Sequence, residues 1–248
     1  LELRHRTDAD IYLGKHAKTN YPFLPLRHNY EIEFGSTRLK ILETPGHTPE
    51  SISILVYDLK ENLERPEAIL TGDTLFVGEV GRPDLMSSLG VNSHTLAGQL
   101  YDSLHQQILT QPPDTKIYPA HGAGSLCGKH LSEQLFSTLT NEQLTNYALK
   151  PMSKQTFIDV VTTDQMEAPA YFSHVAFLNR REHPTLKQVM TQSYQPLTVD
   201  QVLHEKSAGA QILDVRPPQE FGMGHLCGSF NIGLSGKLER WAGEILDR

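Results

Sequence analysis

Apolar residues fall on alternate positions through Tyr30-Glu31-Ile32-Glu33-Phe34, stop at Gly35-Ser36 and resume over Leu39–Leu42. Period-two alternation broken by a Gly-containing pair predicts an antiparallel hairpin. Ser51–Leu59 predicts a further strand, largely buried by its composition, and Ile11–Leu13, Ala68–Leu70 and Lys116–Tyr118 predict shorter ones. A polar, Pro-containing loop is expected between Leu13 and Arg27. The period lengthens after Asn92 or Ser93, either of which can cap a helix whose Leu96, Leu100, Leu104 and Ile108 recur every fourth residue on one face. Leu131–Leu149 predicts a second helix with Leu135, Leu139 and Leu144 inward, and Pro151–Val161 and Pro169–Asn179 two short ones. Leu75–Leu89 holds Gly78, Gly81 and Arg82-Pro83-Asp84, so it is expected to be a long irregular loop, polar at its centre. Loops of that length inside a compact domain are usually functional.

The pattern changes near residue 180. Arg180–Pro196 is polar and proline-bounded, which predicts a linker over 180–196 between a first domain, 1–179, and a second, 197–248. Thr198-Val199-Asp200-Gln201 is a capping-box pattern opening a helix, and Gln211–Arg216 predicts a buried strand of the parallel type.

The 248 residues are 38% hydrophobic, enough for one full core and part of a second. A net charge of −7 with no basic stripe argues against nucleic acid as a partner. No apolar run approaches a membrane span and Leu1–Asp10 is charged throughout, so no membrane partner is expected. Cys127 and Cys227 lie a hundred residues apart, which is neither a disulfide framework nor a zinc-knuckle spacing, so a reducing, cytoplasmic setting is expected. A homo-oligomer is compatible with all of this.

Candidate chemistry gathers at three strand ends. His47 follows a Pro45-Gly46 turn, Asp73 follows Thr71-Gly72, and His121 follows Pro119-Ala120 and precedes Gly122. Each comes just after a short apolar run, beside a glycine that lets backbone approach closely. Taken alone, His47 reads as an ordinary turn histidine facing solvent. Together, two imidazoles and a carboxylate suit zinc or iron, and two His with one carboxylate is the donor set of non-haem Fe(II) oxygenases. The glycine-rich stretch Gly122–Gly128 lacks the Lys-Ser/Thr ending of a phosphate-binding loop. His94, His105, His130 and His174 lie on helical patterns without ligand spacing and are expected to be structural or solvated.

The stretches Thr44-Pro45-Gly46-His47-Thr48-Pro49-Glu50-Ser51, Thr71-Gly72-Asp73-Thr74-Leu75-Phe76 and Pro119-Ala120-His121-Gly122 resemble, in order and rough spacing, the metallo-β-lactamase superfamily. That resemblance implies an α/β fold, the αββα sandwich, with one metal cleft at the strand ends. The family's His-x-His-x-Asp-His motif is absent: His5, His16 and His28 have neither its spacing nor its context. It is expected just upstream of Leu1, so that this chain holds part of the metal site; both ends look cut, since the chain begins within a helix or loop and ends at Glu244–Arg248 with no finished element after it.

The stretch from Gly72 through Asp84, with Gly78-Glu79-Val80-Gly81-Arg82-Pro83-Asp84-Leu85, and Pro119–Lys129 look like the persulfide dioxygenases of that superfamily, and Leu213–Arg216, Glu220-Phe221, Gly224-His225 and Asn231-Ile232 resemble the first half of a rhodanese domain. The resemblance is to bacterial forms that fuse the two. It implies one Fe(II) per complete site, held by His47, Asp73 and a histidine of the missing motif, acting on a low-molecular-weight thiol persulfide and O2 to give sulfite and free thiol. His121 matches a position that ligates a second metal in dinuclear zinc hydrolases of the glyoxalase II type, the alternative function, with Zn(II) as cofactor. An inactive fragment lacking a complete site is the other alternative. Arg82 and Asp84 are expected to pair and orient a ligand or substrate, against the plainer reading of a surface ion pair. Cys127 could face the cleft and carry sulfur, or be a small buried filler. Cys227 does not occupy the loop where the rhodanese family keeps its sulfur-carrying cysteine. Asp214 and Arg216 are expected to brace that domain by mutual hydrogen bonding.

Overall fold

The computed structural model describes residues 1–87, 90–128, 131–163, 165 and 169–246. It divides into two compact units, Asp8–Glu167 and a second made of Leu1–Thr7 with Ala168–Arg248. The larger unit is a mixed α/β structure. Its strands are β1 (Tyr12–Gly14), β2 (Leu24–Leu26), β3 (Glu31–Phe34), β4 (Thr37–Glu43), β5 (Ile52–Asp58), β6 (Ala68–Gly72), β7 (Leu75–Phe76), β8 (Glu79–Val80), β9 (Lys116–Pro119) and β10 (Ser137–Thr138). Among the described residues one six-stranded sheet runs β10-β9-β6-β5-β4-β3, while β1 pairs with β2 and β7 with β8 in small separate ladders.

The predicted hairpin forms as β3 and β4, with Phe34 opposite Thr37 across Gly35, whose φ of 58° is the left-handed conformation the turn needs. Pairing is antiparallel from β3 through β6 and parallel between β6 and β9. Along β5 burial alternates: Ser53, Leu55 and Tyr57 are buried while Ile52, Ile54 and Val56 are half-buried. The buried face, with Leu42, Ile69 and Ile117, packs on the helix Ser93–Ser103, its continuation Leu104–Ile108 and the helix Lys154–Thr162. Leu70, Tyr118 and Phe136 are exposed, the last two with their rings stacked.

Asn92 is the cap of the Ser93 helix, its side-chain oxygen accepting from the Thr95 N–H, and Leu96, Leu100, Leu104 and Ile108 are all buried as the spacing requires. The last turn widens to a π-helix over Leu104–Ile108. Because Leu100 is fully enclosed by this core, Leu100→Ala is expected to cost about 2–5 kcal/mol in urea-unfolding free energy.

Three expectations fail here. Leu131–Leu149 is not one helix: it contains β10, a helix Leu139–Thr145 and a 3-10 turn Tyr147–Leu149, with Leu139 buried but Leu135 and Leu144 exposed. Edge pairing of Ser137 with Ile117 holds the first part extended, and the Thr138 side chain starts the helix by accepting from the Asn141 N–H. Nor is the 75–89 loop irregular and polar at its centre: β7 and β8 form a buried ribbon with Leu75, Phe76, Val77, Val80, Glu79 and Arg82 all inside. Near the chain start, the stretch expected to be all loop supplies β2, which pairs parallel with β1.

In the second unit the helix Val199–Ser207 carries the predicted capping box between Thr198 and Gln201. The predicted strand is shorter and less buried than expected, β11 (Leu213–Asp214), but it is parallel, pairing with β12 (Phe230–Asn231). The Arg216 guanidinium donates to both carboxylate oxygens of Asp214 and to the Gly224 carbonyl, tying the two loops as expected. These bonds hold the Asp214 carboxyl below the usual carboxylate range. The stretch 180–196 contains a capped helix, Leu186–Ser193. No described helix is long and apolar enough to cross a membrane.

Candidate metal centre

Strand directions explain why three distant residues share one place. β4 is antiparallel to β5 and β5 to β6, so β4 and β6 run the same way, and β9 runs parallel to β6. The carboxyl ends of β4, β6 and β9 therefore lie on one edge of the sheet, and His47, Asp73 and His121 follow those three ends. The His121 Nδ1 lies 2.7 Å from Asp73 Oδ1, and His47 Nε2 lies 3.4 Å from Asp73 Oδ2. Cys127 joins them: one donor atom each from His47, Asp73 and Cys127 all lie within 4.8 Å of one another.

The ring orientation of His47 follows from its partners. His47 Nδ1 is 2.9 Å from the carbonyl oxygen of Arg82, which can only accept, so this nitrogen carries the hydrogen. In the neutral ring Nε2 is then a bare lone pair facing a carboxylate oxygen. The 3.4 Å between Nε2 and that oxygen is about the edge of a tetrahedron of N and O ligands at about 2.1 Å, so the pair is spaced to share a cation. A ligating histidine that donates its other N–H to a backbone carbonyl is the usual arrangement at metal sites. His47 and Asp73 therefore fit a metal ion, with Cys127 alongside. His121 spends its Nδ1 hydrogen on Asp73, and its side chain is about half exposed.

Buried hydroxyls lock the loops. Thr44 Oγ1 is 3.0 Å from both Ser53 Oγ and Thr74 Oγ1, and Thr71 Oγ1 donates to the Leu75 carbonyl at 2.6 Å. All four side chains are fully buried, so this network ties the His47 turn to the Asp73 turn without exposing a polar atom. Nothing in the motif stretches themselves assigns these hydroxyls a bracing role, although threonines flank both Gly turns.

The Arg82 side chain is 2% exposed and makes two parallel bonds to Asp84, 2.8 and 2.6 Å, so the surface-pair reading does not hold. Its backbone N–H donates to the Cys127 carbonyl at 3.1 Å while its own carbonyl holds His47. One residue thus clamps two of the three donors. The neighbouring Gly81 packs directly beneath: a Cβ there would lie 1.8 Å from the Asp73 carbonyl oxygen and 3.1 Å from His47 Cβ. Burial pushes the Cys127 thiol up from its ordinary pKa, against a hydrogen bond from Ser125, and the Asp73 charge adds to the rise.

Glu79 and Glu142 form a second buried polar group nearby, also unseen in the sequence. Tyr147 donates its hydroxyl to Glu79 at 2.5 Å, and Glu142 accepts from the Gly78 N–H at 2.8 Å and from Asn146 at 3.0 Å. Burial and the Glu79 carboxylate drive the Tyr147 hydroxyl well above its ordinary pKa. Of the histidines expected to be structural, His105 stacks on Tyr101 and bonds its carbonyl, whereas His130 lies outside the described residues.

No family model matches the chain. A human protein named as the mitochondrial persulfide dioxygenase ETHE1 is 34% identical over 90 residues, 36% of this chain and 30% of that protein. A hydroxyacylglutathione hydrolase of Dictyostelium discoideum is 28% identical over 145 residues, 56% of this chain and 48% of that one. The chain thus spans less than half the length of these two curated relatives. The crystal structure of a metallo-β-lactamase from Staphylococcus aureus superposes with a TM-score of 0.77 at 32% identity, covering 99% of this chain and 69% of that one. With His and Asp donors gathered at one edge of the sheet and a likeness running along nearly the whole chain, this protein belongs to the metallo-β-lactamase family.

Proposed function

We propose that the chain carries the core of a persulfide dioxygenase: a thiol persulfide, O2 and water give free thiol, sulfite and two protons. The observation that carries this reading is the hydrogen bond from His121 Nδ1 to Asp73 Oδ1. With one carboxylate oxygen taken by an N–H, Asp73 offers its other oxygen, beside His47 Nε2, to a single ion and is not free to bridge two. Likeness to the human persulfide dioxygenase supports the same choice. His47 and Asp73 would hold Fe(II), which supplies one-electron chemistry toward O2 and open positions for a sulfur ligand. Arg82 fixes the His47 ring through its carbonyl, Asp84 balances the Arg82 charge, and His121 orients Asp73. The substrate class proposed is the persulfide of glutathione or a related small thiol.

We further read 197–248 as the opening of a rhodanese-like sulfur-transfer module following a 180–196 linker. The capped helix, the parallel β11–β12 pair and the Asp214–Arg216 brace support that reading.

The hydrolase relative supports a second reading, a zinc thioester hydrolase with His121 as a ligand. Metal analysis of anaerobically purified protein, extended upstream to include any His-x-His-x-Asp-His motif, separates the two. About one iron per chain with persulfide-dependent O2 uptake is expected, whereas two zinc ions and hydrolysis of an S-acyl glutathione would overturn the dioxygenase.

A further inference from the structure

We propose that Cys127 is itself a ligand, its thiolate binding the ion that His47 and Asp73 hold. This rests on the metal-centre reading but not on the identity of the reaction. The two histidines and Asp73 come from the ends of sheet strands; Cys127 comes from a separate glycine-rich loop, Gly122–Gly128, yet its donor atom falls within 4.8 Å of those of His47 and Asp73.

That placement is built. The Arg82 N–H holds the Cys127 carbonyl at 3.1 Å, the Arg82 guanidinium reaches the Leu126 carbonyl at 3.4 Å, and Ser125 Oγ accepts from the Cys127 N–H at 3.2 Å. Since the Arg82 carbonyl also fixes His47, any motion of the Cys127 loop is coupled to the imidazole through one buried residue. Gly128 makes the loop's path possible: a Cβ there would come within 2.9 Å of Glu79 Cγ and 2.8 Å of Leu131.

The chemistry has a definite direction. As the sulfur–metal bond forms, the S–H bond breaks and its proton leaves to solvent. A thiolate beside imidazole and carboxylate moves the preference of the site toward zinc, cobalt and iron and away from magnesium or manganese, which favour all-oxygen sets. Cys227 is exposed and forms part of the other unit, so it serves as the internal control.

Anaerobic titration of the full chain with Co(II) alone tests this by absorbance. Visible ligand-field bands report an ion in the site; a near-ultraviolet sulfur-to-cobalt charge-transfer band reports the thiolate. Both are expected to rise together and saturate at one equivalent. Cys127→Ser is expected to keep the visible bands, lose the charge-transfer band and weaken Co(II) binding by about tenfold or more, with Mn(II) binding barely changed. Cys227→Ser should retain both bands. Visible bands without charge transfer in the unaltered chain would overturn the ligand role of Cys127 and leave the His47–Asp73 centre standing. A charge-transfer band that survives Asp73→Ala would place the sulfur-bound ion elsewhere and also overturn it, and absence of both bands would overturn the centre and the proposal together.

Discussion

Asp73→Ala is expected to strip the centre of its ion, lowering affinity by at least about 100-fold, more than the loss of a group that merely orients a ligand. Asp73 is the residue both histidines face: His121 bonds one carboxylate oxygen at 2.7 Å and His47 Nε2 lies 3.4 Å from the other. Without the carboxylate, only the His47 imidazole and the Cys127 sulfur remain of the group that gathers the cation. Asp73→Asn keeps the shape but removes the charge, and should fall nearly as far. The buried Thr44–Ser53–Thr74 network does not include the Asp73 side chain, so the metal-free variant should unfold within about 1 kcal/mol of the unaltered chain. Isothermal titration with Zn(II), together with urea unfolding of the metal-free forms, gives both numbers. Retained affinity in Asp73→Ala would dismantle the site assignment.

Gly81→Ala is expected to damage fold and site together, at a cost of about 3 kcal/mol or more. The added Cβ would sit 1.8 Å from the Asp73 carbonyl oxygen, which is backbone and cannot rotate away, and 3.1 Å from His47 Cβ. Relief requires the β7–β8 ribbon to shift, which drags the Arg82 carbonyl away from His47. Gly78→Ala, in the same ribbon, is the control: its φ of 79° is left-handed but nothing lies within 4 Å of the new Cβ, so only the conformational penalty of about 1–2 kcal/mol applies. Equal losses in urea unfolding would show that the close approach at Gly81 is not what holds the ribbon in place.

These contrasts mark what a sequence can and cannot carry. The β3–β4 hairpin, the helix face of Leu96, Leu100, Leu104 and Ile108, and the capping box at Thr198 were readable because each is periodic or local. His47, Asp73 and His121 were readable because each closes an apolar strand beside a glycine, although only the fold shows Asp73 placed between the other two. Leu135 and Leu144 misled because their spacing fits a helix, while the edge pairing of Ser137 with Ile117 that breaks it is a contact across twenty residues of chain. The Arg82 clamp was half visible. A pairing with Asp84 follows from spacing, but its backbone bonds to His47 and Cys127 depend on how the ribbon folds back over the Asp73 turn.

The common direction of β4, β6 and β9 has a practical consequence at the other rim of the sheet. Their amino ends meet the Gly35-Ser36 turn, the 59–67 excursion and the 109–115 turn, a strand's length from His47 and Asp73. At Gly35 a new Cβ touches nothing within 4 Å, and Glu61, Glu64 and Asp114 are exposed. Peptide tags, fluorophores or extra residues inserted there would lengthen loops whose closure entropy grows only slowly with length. The same polarity that makes a single methyl group intolerable at Gly81 leaves the opposite rim open to engineering, so the protein can be tethered or labelled there without approaching the edge that carries His47 and Asp73.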